Sequence, residues 1–459
     1  MATLDSLRGL QAYISPRRMI TLILGAFFYT ACLHSQASVQ ETCVVREVSR
    51  ERLTFEGNPM YIEPTVFETN NRGDILLAGA PSLILTRDER GKPDLVTDSI
   101  FGMILGADRR KRVVPAPIDA KRVADIRASP REDGSWAFAF AELERSQKPG
   151  ETSRVAHLWY GVHDGSIWSS LERLPLPAKW QPEPYYSSAL VQRGDTVAWA
   201  VRVTEQGRAA ARVAFFERRG GRWSYEILSD GIRPDYGMTS VPAYGTAYVA
   251  LAHSDTLGFV LAIVQSDYVF TGAVQKGEIG RSDAGSLFLF VRRSEWEPLR
   301  RVVFGSRDGE AHHPSLSLSR AGDALTWWAE VTGPAGTRRE ARTMLGNLEE
   351  RNERVIPLDS TILWSNIPLA PEGGMRLWVT DHIAPSGLPD REIRFVGVTS
   401  EGESQLLGSI PNPYTGLFFN ATSPAPSEVL ISSAVIEPAD SMLYSLLLRA
   451  RIECSAHAQ

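Results

Sequence analysis

Cysteine is scarce, three in 459 residues. None of the three stands at a metal-ligand spacing, so neither a disulfide-dense scaffold nor a zinc module is indicated. No charge of one sign dominates, because 49 Lys and Arg are mixed along the chain with 54 Asp and Glu for a formal net charge of -5. That removes the electrostatic footprint of a DNA or RNA binder. Only one apolar run is long enough to approach a bilayer's thickness, and it lies near the amino end. No Ser-centred elbow, phosphate loop or dinucleotide fingerprint occurs. The neighbours His312 and His313, and likewise Asp381 and His382, would point to opposite faces of a strand and could not share one metal. Neither a metal nor a cofactor is expected. What the chain does have is 37 Gly, 28 Pro and 11 Trp with 43% hydrophobic residues, punctuation that suits many short strands around a sizeable core.

The apolar run covers residues 19 to 33, MITLILGAFFYTACL, after Arg17 and Arg18 and before the small-residue stretch Ser35, Gln36, Ala37. A positive flank, an apolar core of this length and an A-x-A-like site describe a secretory signal, with cleavage after Ala37 favoured. Lipidation at Cys32 and retention as a short membrane anchor stay open. Residues 1–37 are therefore read as a signal peptide or anchor, and 38–459 as one domain outside the cytoplasm, periplasmic or extracellular. If Cys32 leaves or is lipidated, Cys43 and Cys454 remain as a pair at the two ends of the mature chain.

One pattern recurs seven times, a tight Gly or Asp turn leading into a strand rich in Trp, Val and Ala. These strands read GDILLAGA, GSWAFAFAELE, GDTVAWAVRV, GTAYVALAH, GDALTWWAEV, GMRLWVTDH and SEVLISSAV, spaced by about 59 residues. The period predicts an all-β, seven-bladed β-propeller. A pair of β-sandwiches or a β-helix is the alternative, but neither explains why the last unit is one strand short. Residues 43–55 form a strand ahead of the first unit, and an amino-terminal strand completing the carboxy-terminal blade closes a propeller ring. In that register Cys454 falls opposite Cys43, and a disulfide there would clasp the ring.

Residues Met60 to Pro81, MYIEPTVFETNNRGDILLAGAP, resemble the opening of the sialidase (neuraminidase) superfamily, in which Tyr-Arg-Ile-Pro leads into a strand and then Gly-x-Leu-Leu-Ala. Degenerate Asp-box turns at Ser129 to Trp136, Asp164 to Trp168 and Gly220 to Trp223 extend the likeness. The resemblance implies a sialidase-like propeller in which these turns staple hairpins. Ile62, however, stands where the family places the first arginine of its carboxylate clamp, and an alkyl group cannot replace bidentate guanidinium recognition.

If the recurring strand is the second of each blade, its last residues reach one face of the ring. Those residues are Glu142, Arg202, His253, Glu330, Asp381 and His382, joined on that face by Asp125, Tyr185, Tyr186, His312 and His313. Read functionally, they form a polar pocket at the channel mouth, with Arg202, His253, Asp381, His382 and Tyr185 as ligand contacts. Glu142 and Glu330 are the only paired-carboxylate candidates for acid/base work. Read structurally, they are strand ends reaching water. Two functions follow: a non-catalytic exported scaffold for a protein partner or envelope complex, which is favoured, and a divergent sialidase-like glycoside hydrolase acting on glycans.

Overall fold

The computed structural model describes strands from Glu41 to Ala456, apart from 145–153, 183–187, 206–210, 229–247, 269–281, 304–309, 346–352, 370–375, 384–390, 437–442 and other connections of five residues or fewer. Over most of 297–390 only the backbone is described. Every sheet among the described residues is antiparallel, and the architecture is an all-β propeller. Contacts divide the chain into two units, Val45–Ile452 and a smaller one made of Met1–Val44 with Glu453–Gln459.

Five sheets are meanders of consecutive strands. Blade 1 holds Val123–Pro130, Trp136–Leu143, Val155–His163 and Glu172–Arg173. Blade 2 opens with Trp180–Pro182 and Ser188–Arg193, which pair in tandem with Thr196–Glu205, and continues through Ala211–Arg219 and Arg222–Leu228. Blade 3 comprises Tyr248–Ser254, Gly258–Tyr268, Ser282–Arg292 and Trp296–Val303. Blade 4 comprises Glu310–Leu318, Ala324–Gly333, Gly336–Leu345 and Glu353–Leu358, and blade 5 Ile362–Leu369, Arg376–Ile383, Arg391–Val398 and Ser404–Pro411.

The expectation of seven equal blades is therefore corrected to five regular ones, because the two ends of the domain are built differently. A terminal sheet runs Glu41–Arg52, Leu443–Ala456, Glu428–Ile436, Thr415–Ala425, so the amino-terminal strand does complete the carboxy-terminal sheet. The first expected unit is split in two. Val66–Thr69, Ile75–Ala78, Ile100–Leu105 and Lys111–Pro115 form one sheet, and Thr54–Phe55, Asn58–Ile62, Ser82–Arg87 and Pro93–Val96 form another. The chain crosses between these two sheets three times, after Ile62, after Ala78 and after Val96, so each sheet is assembled from two separate stretches of sequence.

Alternation of large and small side chains stacks the blades. In the second strand of blade 1, Trp136, Phe138 and Phe140 enter the seam toward the Ile75–Ala78 sheet, where Leu76, Phe101 and Ile104 wait. Ala137, Ala139 and Ala141 face the other way, onto Trp199 and Val201 of blade 2. Blade 2 repeats the device, turning Ala198 and Ala200 toward Leu251, Phe259 and Leu261 of blade 3. Bulk from one sheet thus fills the shallow face of the next, which keeps packing close with few voids.

At the terminal sheet a single hydroxyl does comparable work. Ser445 is fully buried, and its Oγ accepts from the Ile62 N–H at 2.9 Å and donates to the Ile62 carbonyl at 3.2 Å. Its own carbonyl accepts from the Leu53 N–H at 2.9 Å. The short Asn58–Ile62 strand is thereby held against the terminal sheet, above a core of Leu53, Met60, Ile62, Leu430 and Leu447.

Candidate functional site

Among the strand-end residues whose side chains are described, Glu142 and Arg202 do not meet, and parity explains why. Glu142 continues the face of Trp136, Phe138 and Phe140, whereas Arg202 continues that of Ala198 and Ala200, so the two enter different seams. Glu142 is buried with both oxygens engaged: Arg122 pairs with Oε1 at 2.8 Å, and Trp159 Nε1 donates to Oε2 at 2.8 Å. Arg122 also donates from Nε to the Leu143 carbonyl at 3.1 Å. The carboxylate caps a seam, each of its oxygens held by one partner.

His253 is misplaced by the sequence reading. GTAYVALAH belongs to the first strand of blade 3, the second being Gly258–Tyr268, and His253 pairs with Phe259 beside the connecting hairpin. It therefore sits at the opposite end of its blade from Glu142 and Arg202. Its ring packs edge-on against Phe259 at 5.1 Å, and burial lowers its pKa. The misreading arose because the sequence offers a turn-type Gly245 ahead of this strand as well, and such a signal carries no strand number. The backbones of Glu330, Asp381, His382, His312 and His313 lie in blades 4 and 5, with Glu330 opposite His312, but their side chains lie outside the described residues. Tyr185 and Tyr186 also lie outside them.

What the structure does bring together is a buried polar cluster on the first strands of blades 1 and 2. Ser188 Oγ donates to Asp125 Oδ2 at 2.5 Å and accepts from Arg127 Nε at 3.0 Å, while the Arg127 guanidinium lies 3.2 Å from Asp125 Oδ1. Asp125 and Ser188 are both buried. Burial raises the Asp125 pKa, opposed by the Arg127 charge and the Ser188 hydrogen bond. Chemically the cluster can hold or share one proton while it ties two blades. Asp125 was legible as a strand-start residue, but Arg127 and Ser188 lacked any local signal.

The Asp-box-like turns behave as staples. Asp164 Oδ1 accepts the N–H groups of Ser166 and Ile167 at 2.7 and 2.9 Å, and these bonds, Ile167 first, hold its pKa below the ordinary value. Trp168 then donates across to the Pro115 carbonyl at 2.7 Å. In blade 2, Trp223 Nε1 and the Arg218 guanidinium converge on Glu172 of blade 1 at 2.8 Å. Ile62, at the clamp-arginine position, is fully buried in the core. Among the described residues no group of three or more His, Cys, Asp or Glu could hold a metal.

Sheets and hairpin staples together define an all-β propeller. No family model and no curated protein matches the chain. Among solved structures it is similar to the polysaccharide lyase Uly1, with a TM-score of 0.50 at 7% identity over 84% of this chain and 90% of that one. It is also similar to the sialidase of Trypanosoma rangeli, with a TM-score of 0.40 at 12% identity over 89% of this chain and 59% of that one. For the Dos1 propeller the TM-score is 0.44 at 9% identity, covering 89% and 95%. At such identities the likeness is one of fold.

Proposed function

We propose that the protein is an exported, non-catalytic propeller that serves as a scaffold for a protein partner or an envelope complex. The observation that carries this reading is the state of Glu142, whose two oxygens are committed to Arg122 and Trp159 inside a seam. A general acid or base must reach its substrate's proton within hydrogen-bond distance, and this carboxylate is already spent on the fold. Ile62 in the core supports the same reading, since the clamp arginine is replaced by a residue that packs inward. The sequence pattern of the leader supports export, and a lipidated or retained amino end would keep the scaffold beside the membrane it crossed.

The test joins chemistry and partner. A fluorogenic α-sialoside is offered to the purified mature protein and to its Glu142→Gln and Glu330→Gln variants, while the tagged protein is crosslinked and captured from detergent-solubilised membranes. The scaffold reading expects no turnover and a reproducible protein partner. Turnover that vanishes in either variant would replace it with the divergent glycoside hydrolase.

A further inference from the structure

Three hairpins at the same end of adjacent sheets share one turn geometry. In Asn70 to Asp74, Gly106 to Arg110 and Arg131 to Ser135 the first residue's N–H bonds the fifth residue's carbonyl at 2.8 to 2.9 Å. The fourth residue's N–H returns to the first carbonyl at 2.8 to 3.1 Å. This closure forces the fourth residue into the left-handed region. Two of the turns place glycine there, Gly73 at φ +77° and Gly134 at φ +79°. The third places Arg109, at φ +67°, the one non-glycine residue with positive φ among the described residues. A side chain with a Cβ is disfavoured in that conformation.

Nothing in the fold asks for a side chain at 109. Arg109 is exposed, and no hydrogen bond or ion pair of its guanidinium occurs among the described residues. The next residues extend the charge. Arg110 pairs only loosely with Asp108 at 3.4 Å, with side chains 85% and 59% exposed, and Lys111 lies 3.7 Å from Glu51. Strain kept at an exposed position with no internal partner points outward, to a ligand.

We propose that the Arg109, Arg110, Lys111 tip is an interaction site for a carboxylate-rich segment of a protein partner. This rests on the scaffold reading and says where the partner docks. The neighbouring turns decide the chemistry. Glu132, Asp133 and Asp164 are exposed on the adjacent hairpins of blade 1, so this end lacks the single-sign field that an anionic bilayer would meet favourably. A short acidic segment needs only the three cations, and guanidinium groups suit carboxylates bidentately.

The experiment uses the mature protein and labelled hexaglutamate, read by fluorescence anisotropy at low and moderate salt. The wild type binds, and binding weakens with salt. Arg109→Gly lowers the affinity about three- to tenfold while its unfolding midpoint stays at or above the wild-type value. Arg222→Ser, which removes an exposed cation from a blade 2 hairpin, leaves affinity unchanged. No binding by the wild type, unchanged binding by Arg109→Gly, or equal losses in both variants would each overturn the assignment. So would Arg109-dependent binding to phosphatidylserine vesicles tighter than to the peptide. If membrane capture still recovers the wild-type partner with Arg109→Gly, the scaffold reading stands and the tip assignment fails.

Discussion

Two buried serines of the terminal sheet, Ser445 and Ser432, are both fully inaccessible, yet their hydroxyls are in opposite states. Ser445 Oγ satisfies both the N–H and the carbonyl of Ile62, whereas Ser432 Oγ is without a hydrogen-bond partner among the described residues. Replacing either by alanine deletes the same atom, so transfer and cavity contributions are alike and largely cancel in the comparison. What differs is polar satisfaction. In Ser445→Ala two buried backbone groups lose this partner, and at about 1–3 kcal/mol for each unsatisfied group the loss is about 2–6 kcal/mol. Against a typical total of about 5–15 kcal/mol that is a large fraction. Ser432→Ala instead removes a buried hydroxyl that bonds to nothing, so stability changes by less than about 1 kcal/mol and can rise. Urea unfolding of the mature protein, followed by tryptophan fluorescence with unchanged m-values, measures both. If Ser432→Ala destabilises as much as Ser445→Ala, the hydroxyl clamp on Ile62 is not what holds the Asn58–Ile62 strand, and the reasoning fails.

Cys43 is disulfide-bonded, and ten residues back from Leu53, which bonds Ser445, an antiparallel partner of Cys43 would be residue 455, next to Cys454. Non-reducing peptide mapping is expected to recover Cys43 and Cys454 linked, a closure worth about 4–5 kcal/mol by loop entropy, and free thiols in the exported protein would refute it. Asp125 gives a pH signature: with its pKa raised in the folded state by burial, its contribution is intact below the ordinary carboxylate value and is lost as pH rises through the folded one. Thermal unfolding from pH 4 to 7 should therefore show the stability of Asp125→Asn gaining on wild type as pH rises; a gap constant with pH would contradict the burial argument. Glu142→Gln weakens the charge pairing with Arg122, so it should lower the unfolding midpoint while leaving partner capture intact.

The division between what was legible in the sequence and what was not follows the range of each interaction. The second strands of blades 1 and 2 could be read from WAFAFAEL and TVAWAVRVTE, because period-two patterning and a preceding turn are local properties of the chain. The Asp164 turn was legible for the same reason, its carboxylate bonding N–H groups two and three residues on. The closing strand could be inferred too, since a unit one strand short must borrow from the other terminus. Blade 3 marks the limit, because a turn before GTAYVALAH looks the same whether the strand that follows is first or second. The seam that each strand-end side chain enters was not legible. That is set by parity against a neighbouring sheet, and it separates Glu142 from Arg202 though both close a second strand. Asp125 and Ser188 meet across 63 residues, and Ser445 and Ile62 across 383. Their partners are chosen by how blades stack, and burial then sets the Asp125 proton affinity, so only the folded ring decides which polar groups are structural and which remain free to bind.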